Sequence, residues 1–170
     1  NLLSEQLNAV NREGLRSDVT IVPVGGADKV ATFVSLLRGN KLGMVCLLDT
    51  FTDKSAQSRL DNLVAQNIIK DKKIVFYHDI LKTKFADVED LFAISDYLRL
   101  YNGAFGKGIK ETSITAGASI MAQLKKENGN KDFNHYSPAN YFAKNIAAIT
   151  LSADTLNNFE ALFKRINKLF

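Results

Sequence analysis

The residues of this chain best suited to chemistry are acidic. The apolar run Met44-Val45-Cys46-Leu47-Leu48 ends on Asp49, and Thr50-Phe51-Thr52-Asp53 follows it. Further along, Ala86-Asp87-Val88-Glu89-Asp90 concentrates three carboxylates in four positions. An apolar run of this length bounded by turn residues reads as a strand buried on both faces, as in parallel sheets. A carboxylate at the carboxyl end of such a strand lies where open α/β sheets place their sites. The run Ile74 to Tyr77 reads as a second strand, and parallel strands leave a sheet at the same edge. Asp49, Asp53 and the Asp87/Glu89 pair are therefore expected to converge. Clustered hard oxygens suit Mg²⁺, Mn²⁺ or Ca²⁺, and like charges held together favour a cation among them. The same spacing also suits a plainer role, with Asp87 and Asp90 as first-turn acids and Asp53 as a helix cap.

Other candidates are sparser. Gly25-Gly26, between a strand pattern and a helix pattern, could present amides to a phosphate, but lacks dinucleotide or P-loop spacing and serves equally as a tight turn. His78 and His135 are the two histidines. Neither has a partner at zinc-ligand spacing; His78, beside Asp79 at a strand end, has the better claim to the site, and His135 reads as a loop tether. Cys46 sits inside an apolar run and reads as core. No nucleophile elbow and no Cys/His pair occurs. Lys70, Lys72, Lys73, Lys125 and Lys126 read as solvated faces.

The elements that position the acids alternate in type. Leu2, Leu3, Leu7 and Val10 have helical spacing, with Gly14 as a stop. Val19 to Val24 is β-branched and reads as a strand, Pro23 marking an edge or an end. Asp28 caps a helix carrying Val30, Phe33, Val34 and Leu37, which Gly39-Asn40 ends. Ser55 to Asn67 reads as the helix between the two central strands. Strand-helix alternation predicts βαβ units and a parallel α/β sheet over residues 1–92. Over 93–170 the pattern is mostly helical. Leu91, Phe92, Tyr97, Leu98 and Tyr101 share a helical face, Gly103 to Gly108 form a loop, and Ala116 to Glu127 form a helix. Pro138 lies in the first turn of the next helix, and Ser152 caps a last amphipathic helix through Leu169.

Bulk properties set wide bounds. The 170 residues are 46% hydrophobic and 24% charged, which is globular usage with material for a sizeable core. A net charge of +4 permits nucleic acid as a partner without demanding it. One cysteine excludes a disulfide framework, and with no spanning run or signal peptide a soluble, cytoplasmic chain without membrane partners is expected. A chain that starts at Asn1 in helical periodicity reads as a piece of a longer protein.

Three groups of residues, in this order, resemble the Toprim domain of the OLD family of ATP-dependent nucleases: Ile21-Val22-Pro23-Val24-Gly25-Gly26-Ala27-Asp28-Lys29, Leu47-Leu48-Asp49, and Ala86-Asp87-Val88-Glu89-Asp90-Leu91-Phe92. The ending, Asn134-His135-Tyr136-Ser137-Pro138-Ala139 through Phe159-Glu160-Ala161-Leu162-Phe163, is similar to the same branch. The resemblance implies a Toprim-like (Rossmann-like) parallel sheet flanked by helices, with a mostly helical C-terminal extension. It implies a DNA endonuclease that uses Mg²⁺ or Mn²⁺, with Ca²⁺ as a non-catalytic substitute. It also implies an upstream ATPase domain in the same chain and a homo-oligomeric parent protein. Carried over by position, Asp49 is the strand-end aspartate and Asp87 and Glu89 are the second acidic pair. Lys144 matches a late lysine that stabilises phosphate charge, with Lys131 as its rival.

Two departures stand beside the match. The family's second aspartate, two residues after the first, is Phe51 here, leaving Asp53 as its substitute. The family's glutamate, on a strand before the first helix, would lie upstream of Asn1, and Glu5 falls in a helical pattern. A catalytically degenerate module that binds nucleic acid or a partner is the alternative. A receiver-like phosphoacceptor built on Asp49 is a third reading, which would want a further acidic pair after the first strand.

Overall fold

The computed structural model describes residues 2–25, 27–38, 42–51, 54–115 and 119–170. Its elements are α1 (Leu2–Ala9), α2 (Ala27–Arg38), β1 (Cys46–Leu48), α3 (Lys54–Ala65), β2 (Ile74–Phe76), α4 (Tyr77–Leu81), α5 (Ile94–Phe105), α6 (Ile120–Glu127), α7 (Tyr136–Lys144) and α8 (Ala153–Asn167). Single 3₁₀ turns occupy Asp71–Lys73, Val88–Leu91 and Glu111–Ser113. The fold is mixed α/β, with one small parallel sheet and a mostly helical second half.

β1 and β2 pair in parallel, Cys46 opposite Ile74, Leu47 opposite Val75 and Leu48 opposite Phe76. Because successive strand side chains point to opposite faces, three residues per strand serve two cores. Cys46, Leu48, Ile74 and Phe76 pack with Val30 and Val34 of α2 and with Leu60 and Leu63 of α3. Leu47 and Val75 pack on the other face with Leu7 of α1 and with Phe159, Leu162, Phe163 and Ile166 of α8. Helices therefore cover both faces, which explains why both strands read as unbroken apolar runs. Half-buried among these residues, the Cys46 thiol is pushed up to about 11 by burial, as a core residue should be.

Several expected elements change. Residues 19–24, expected as a strand, have no ladder partner among the described residues. Val24 packs into the core beside α2, while Ile21 and Val22 are 58% and 51% exposed. β-branched composition favours a pleated surface but does not supply a neighbour, and Pro23 removes a donor. Both paired strands are also shorter than expected, because Met44 and Val45 precede the ladder and Tyr77 opens α4. Gly103 lies inside α5 rather than in a loop. A Cβ there would collide with the Tyr141 ring, so the small residue allows α7 to pack closely on α5. The Asp28 side chain, Gly39-Asn40 and Ala116, expected as a cap, a stop and a helix start, lie outside the described residues.

Phe92 packs into three of the four apolar clusters, touching the sheet layer, the α5–α6 layer and the α5–α7 layer. The return of α8 is fastened by polar contacts. Its Ser152 cap accepts from Thr155 N at 3.3 Å, as the sequence predicts. Glu160 accepts from Arg12 at 2.6 Å and pairs with Lys164 at 2.8 Å. Lys164 and then Arg12 draw its carboxyl down to about 2. Asp96, buried in α5, accepts from Thr155 Oγ1 at 2.6 Å, from Ser152 N at 2.8 Å and from Arg99. Burial pushes this carboxyl up, but those donors outweigh burial and leave it below the ordinary range. Asp96→Ala is expected to lose about 3 kcal/mol in urea unfolding at pH 7, since the Thr155 and Ser152 donors lose their buried acceptor. A depressed carboxyl stabilises the fold above its unfolded pKa, about 4, and loses that contribution as pH falls through its folded value. The gap between wild type and Asp96→Ala should therefore narrow from pH 4 to pH 2.

Candidate active site: an acidic edge at the carboxyl end of the sheet

Beyond Leu48 the chain leaves the ladder, and Thr50 takes over its registration. Thr50 N donates to Ala86 O at 3.1 Å, and Thr50 Oγ1 accepts from Ala86 N at 2.9 Å. The same hydroxyl lies 2.7 Å from His78 Nδ1, and the His78 ring stacks on Phe76 at 4.9 Å. This clasp sets the residue after Ala86 beside the residue before Thr50. Asp87 thus comes to Asp49.

The 3₁₀ turn Val88–Leu91 then folds the remaining acids inward. Asp90 Oδ2 accepts from Asp87 N at 2.9 Å, and Asp90 Oδ1 accepts from Ile120 N, the first amide of α6, at 3.1 Å. Ser119 Oγ donates to Asp87 Oδ2 over a long 3.5 Å. The Asp49 carboxylate accepts from Val88 N. Glu89 is buried, 7% exposed, and reaches His135 Nδ1 at 3.0 Å. His135 itself stacks on Phe133, with ring centres 5.3 Å apart.

The acids feel one another. Partial burial raises the Asp49 carboxyl, with Asp90 adding to the rise and Val88 N and His135 opposing it. Burial, then Asp49 and Asp90, raise Asp87. Burial raises Glu89, Asp87 adds to the rise, and His135 opposes it. The negative field extends to the neighbouring phenols: burial, then Asp49 and Glu89, push Tyr77 up. Among the described residues no lysine or arginine forms an ion pair with Asp49, Asp87, Glu89 or Asp90, and the side chain set against them is the His135 imidazole.

Asp49 lies near enough to Asp87, and Asp87 to Glu89, for the first carboxylate of each pair to raise the second. Asp53 lies outside the described residues. Lys144 is exposed at the last position of α7, about 13 Å along the helix from His135. Lys131 is exposed in the loop before α7. The two histidines exchange the expected emphasis: His78 supports the clasp, and His135 tethers its loop by bonding a site acid. Asp90, which reads as a first-turn acid, also holds the start of α6. Thr50 carries no sequence signal, because a lone hydroxyl acquires its role only from the group the fold sets opposite it, whereas Ser119 caps α6 by accepting from Ala122 N at 3.4 Å. Gly25 has φ +74°, in keeping with a tight turn, and Gly26 lies outside the described residues.

Among the described residues no three histidine, cysteine or acidic side chains stand close enough to enclose one ion. The donor set itself is hard oxygen, which suits Mg²⁺, Mn²⁺ or Ca²⁺ better than Zn²⁺. Likewise no described helix is long and apolar enough to cross a membrane. Set beside known protein families, characterised proteins and solved structures, the chain finds no match.

The clasp and the acid cluster respond differently to substitution. Thr50→Val leaves Ala86 N without its hydroxyl acceptor and should lose about 1–3 kcal/mol of unfolding free energy. Asp87→Asn behaves oppositely. A carboxyl raised in the fold opposes folding above its folded pKa, and that opposition disappears below its unfolded value. In chelator at pH 7 the melting temperature of Asp87→Asn should match or exceed that of wild type, and any gain should vanish near pH 3.

Proposed function

We propose that the acidic edge binds a divalent cation for hydrolysis of DNA phosphodiester bonds, as the Toprim domain of an OLD-family ATP-dependent nuclease. One observation carries the reading: four carboxylates gathered at the carboxyl end of a parallel sheet, three of them raised, with only a histidine facing them among the described residues. A protein that keeps such charge together keeps it for a ligand of opposite sign. Asp49, Asp87 and Glu89 would hold the ion, with Asp53 next in the chain. The chemistry a bound Mg²⁺ or Mn²⁺ supplies there is activation of water and neutralisation of charge on the phosphate. The chain's own share is orientation. Val88 N aims the Asp49 carboxylate, Ser119 Oγ touches Asp87, and His135 fixes Glu89. Lys144 is the proposed partner for phosphate charge. The upstream ATPase domain, the homo-oligomeric parent and a cytoplasmic setting belong to the same proposal.

A second reading has an observation of its own. Phe51, in place of the family's second aspartate, packs edge-to-face on Phe76 with ring centres 5.6 Å apart and belongs to the α2–α3 core. A ring so placed serves packing, which favours a module that binds nucleic acid without cutting it.

Calorimetric titration with Mn²⁺ separates these readings from a purely structural cluster. Wild type is expected to bind, and its melting free energy to rise by about 2.7 kcal/mol at a hundredfold excess of Mn²⁺ over Kd. The variant with Asp49, Asp87 and Glu89 all changed to Ala is expected to show neither effect. Equal heats in the two proteins would overturn the metal site. In the longer parent protein, Mn²⁺-dependent cleavage that survives Asp49→Ala would overturn the nuclease assignment.

A further inference from the structure

Between α4 and Asp87 runs a loop, 82–86, that the acid cluster leaves unused. Lys82 closes α4 in the left-handed conformation, φ 56°. Thr83 N donates to His78 O at 3.2 Å, and Thr83 Oγ1 donates to Phe85 O at 3.0 Å. Ala86, at the other end, is held by Thr50. The loop is thus fastened throughout, and the side chains it displays are displayed by construction. Lys82 and Lys84 are exposed, and Phe85 is 62% exposed. Among the described residues Phe85 joins none of the four apolar clusters and stacks on no other ring.

These residues line a groove of about 680 Å³ that also takes in Asp87, Asp90 and Ser119. One stretch of it is cationic and aromatic, the other acidic. We infer that the groove holds an unpaired DNA strand, with one backbone phosphate on Lys82, a second on Lys84 and a base stacked on Phe85. The inference rests on the proposed function and names the form of its substrate. A phosphate is repelled by the acids and attracted by the lysines, so the lysines set where the backbone enters. Phe85 then decides the class. In a duplex each base face is covered by its neighbours, whereas an unpaired base can lie on an exposed ring. Two lysines and one ring also make a narrow track, unlike the helix or ribbon that fills a duplex groove.

Fluorescence anisotropy of a labelled oligothymidylate and of a duplex of equal length, both in Ca²⁺, tests this. The single strand should bind more tightly than the duplex. Phe85→Ala should weaken it about tenfold, within the range of one lost stacking contact. Charge reversal by K82E with K84E should weaken it and reduce the slope of log affinity against log salt by about 1.4. The pair K70E with K72E makes the same charge change at the opposite end of β2 and should leave affinity near wild type. Absent binding, tighter binding of the duplex, an unchanged Phe85→Ala, or equal losses from the two lysine pairs would each overturn the inference. If Mn²⁺ binds but strand capture ignores Phe85 and Lys82/Lys84, this inference alone fails. If strand capture depends on those residues but Mn²⁺ does not bind, the groove stands and the metal reading fails.

Discussion

The structure turns on one small clasp. Thr50 joins Ala86 through both its backbone amide and its hydroxyl, at 3.1 and 2.9 Å. β1 and β2 share only three paired residues, too few to align the segments that leave them. The clasp extends the registration past the end of the ladder, and it does so between segments 36 residues apart. Every later residue of the acidic edge inherits its position from that contact. Asp87 is set beside Asp49, the 3₁₀ turn brings Glu89 and Asp90, and Asp90 then holds the first amide of α6.

Two environments for a buried carboxylate occur within eight positions of each other. Asp96 is surrounded by donors from Thr155, Ser152 and Arg99, and its carboxyl is held low. Glu89 is comparably buried, yet its carboxyl is held high, because burial outweighs its own backbone amide and His135. Asp96 behaves as a rivet between α5 and the start of α8. Glu89, with Asp49 and Asp87, is held above the ordinary carboxylate range by burial and by neighbouring acids. Satisfied and unsatisfied electrostatics thus stand side by side in one fold, Asp96 among donors and Glu89 among acids.

The scaffold around the edge is asymmetric for a reason of chain order. α2 and α3 cover one face locally, but the opposite face waits for α8, from the far end of the chain. The Arg12–Glu160 pair and the Phe159, Leu162, Phe163 and Ile166 face fasten that return. Each of these large apolar side chains contributes roughly 1.5–3 kcal/mol on burial, so α8 outweighs any polar contact in sealing the sheet. The acidic edge is thereby supported from both sides of the sheet and by both halves of the chain.

The sequence by itself determined most of the helices and the β1–α3–β2 unit, because apolar period and capping act within a few residues, though not α4 or the break that puts Leu91 and Phe92 before α5. Ser152 as a cap, the α8 face and the apolar runs of β1 and β2 all belong to this local physics. It also put Asp49 at the carboxyl end of β1, where parallel strands leave the sheet at one edge, but Asp87 reaches it only through the Thr50–Ala86 clasp. Only the tertiary structure decided the rest. Val19 to Val24 has strand composition but, among the described residues, no neighbour to pair with, and pairing is a property of two segments. Phe51 became core because Phe76 lies across from it. His135 entered the site and His78 became a support because Glu89 and Thr50 are distant in sequence and adjacent in space. Contacts of that kind depend on where the chain returns, and a single stretch of residues carries no record of it.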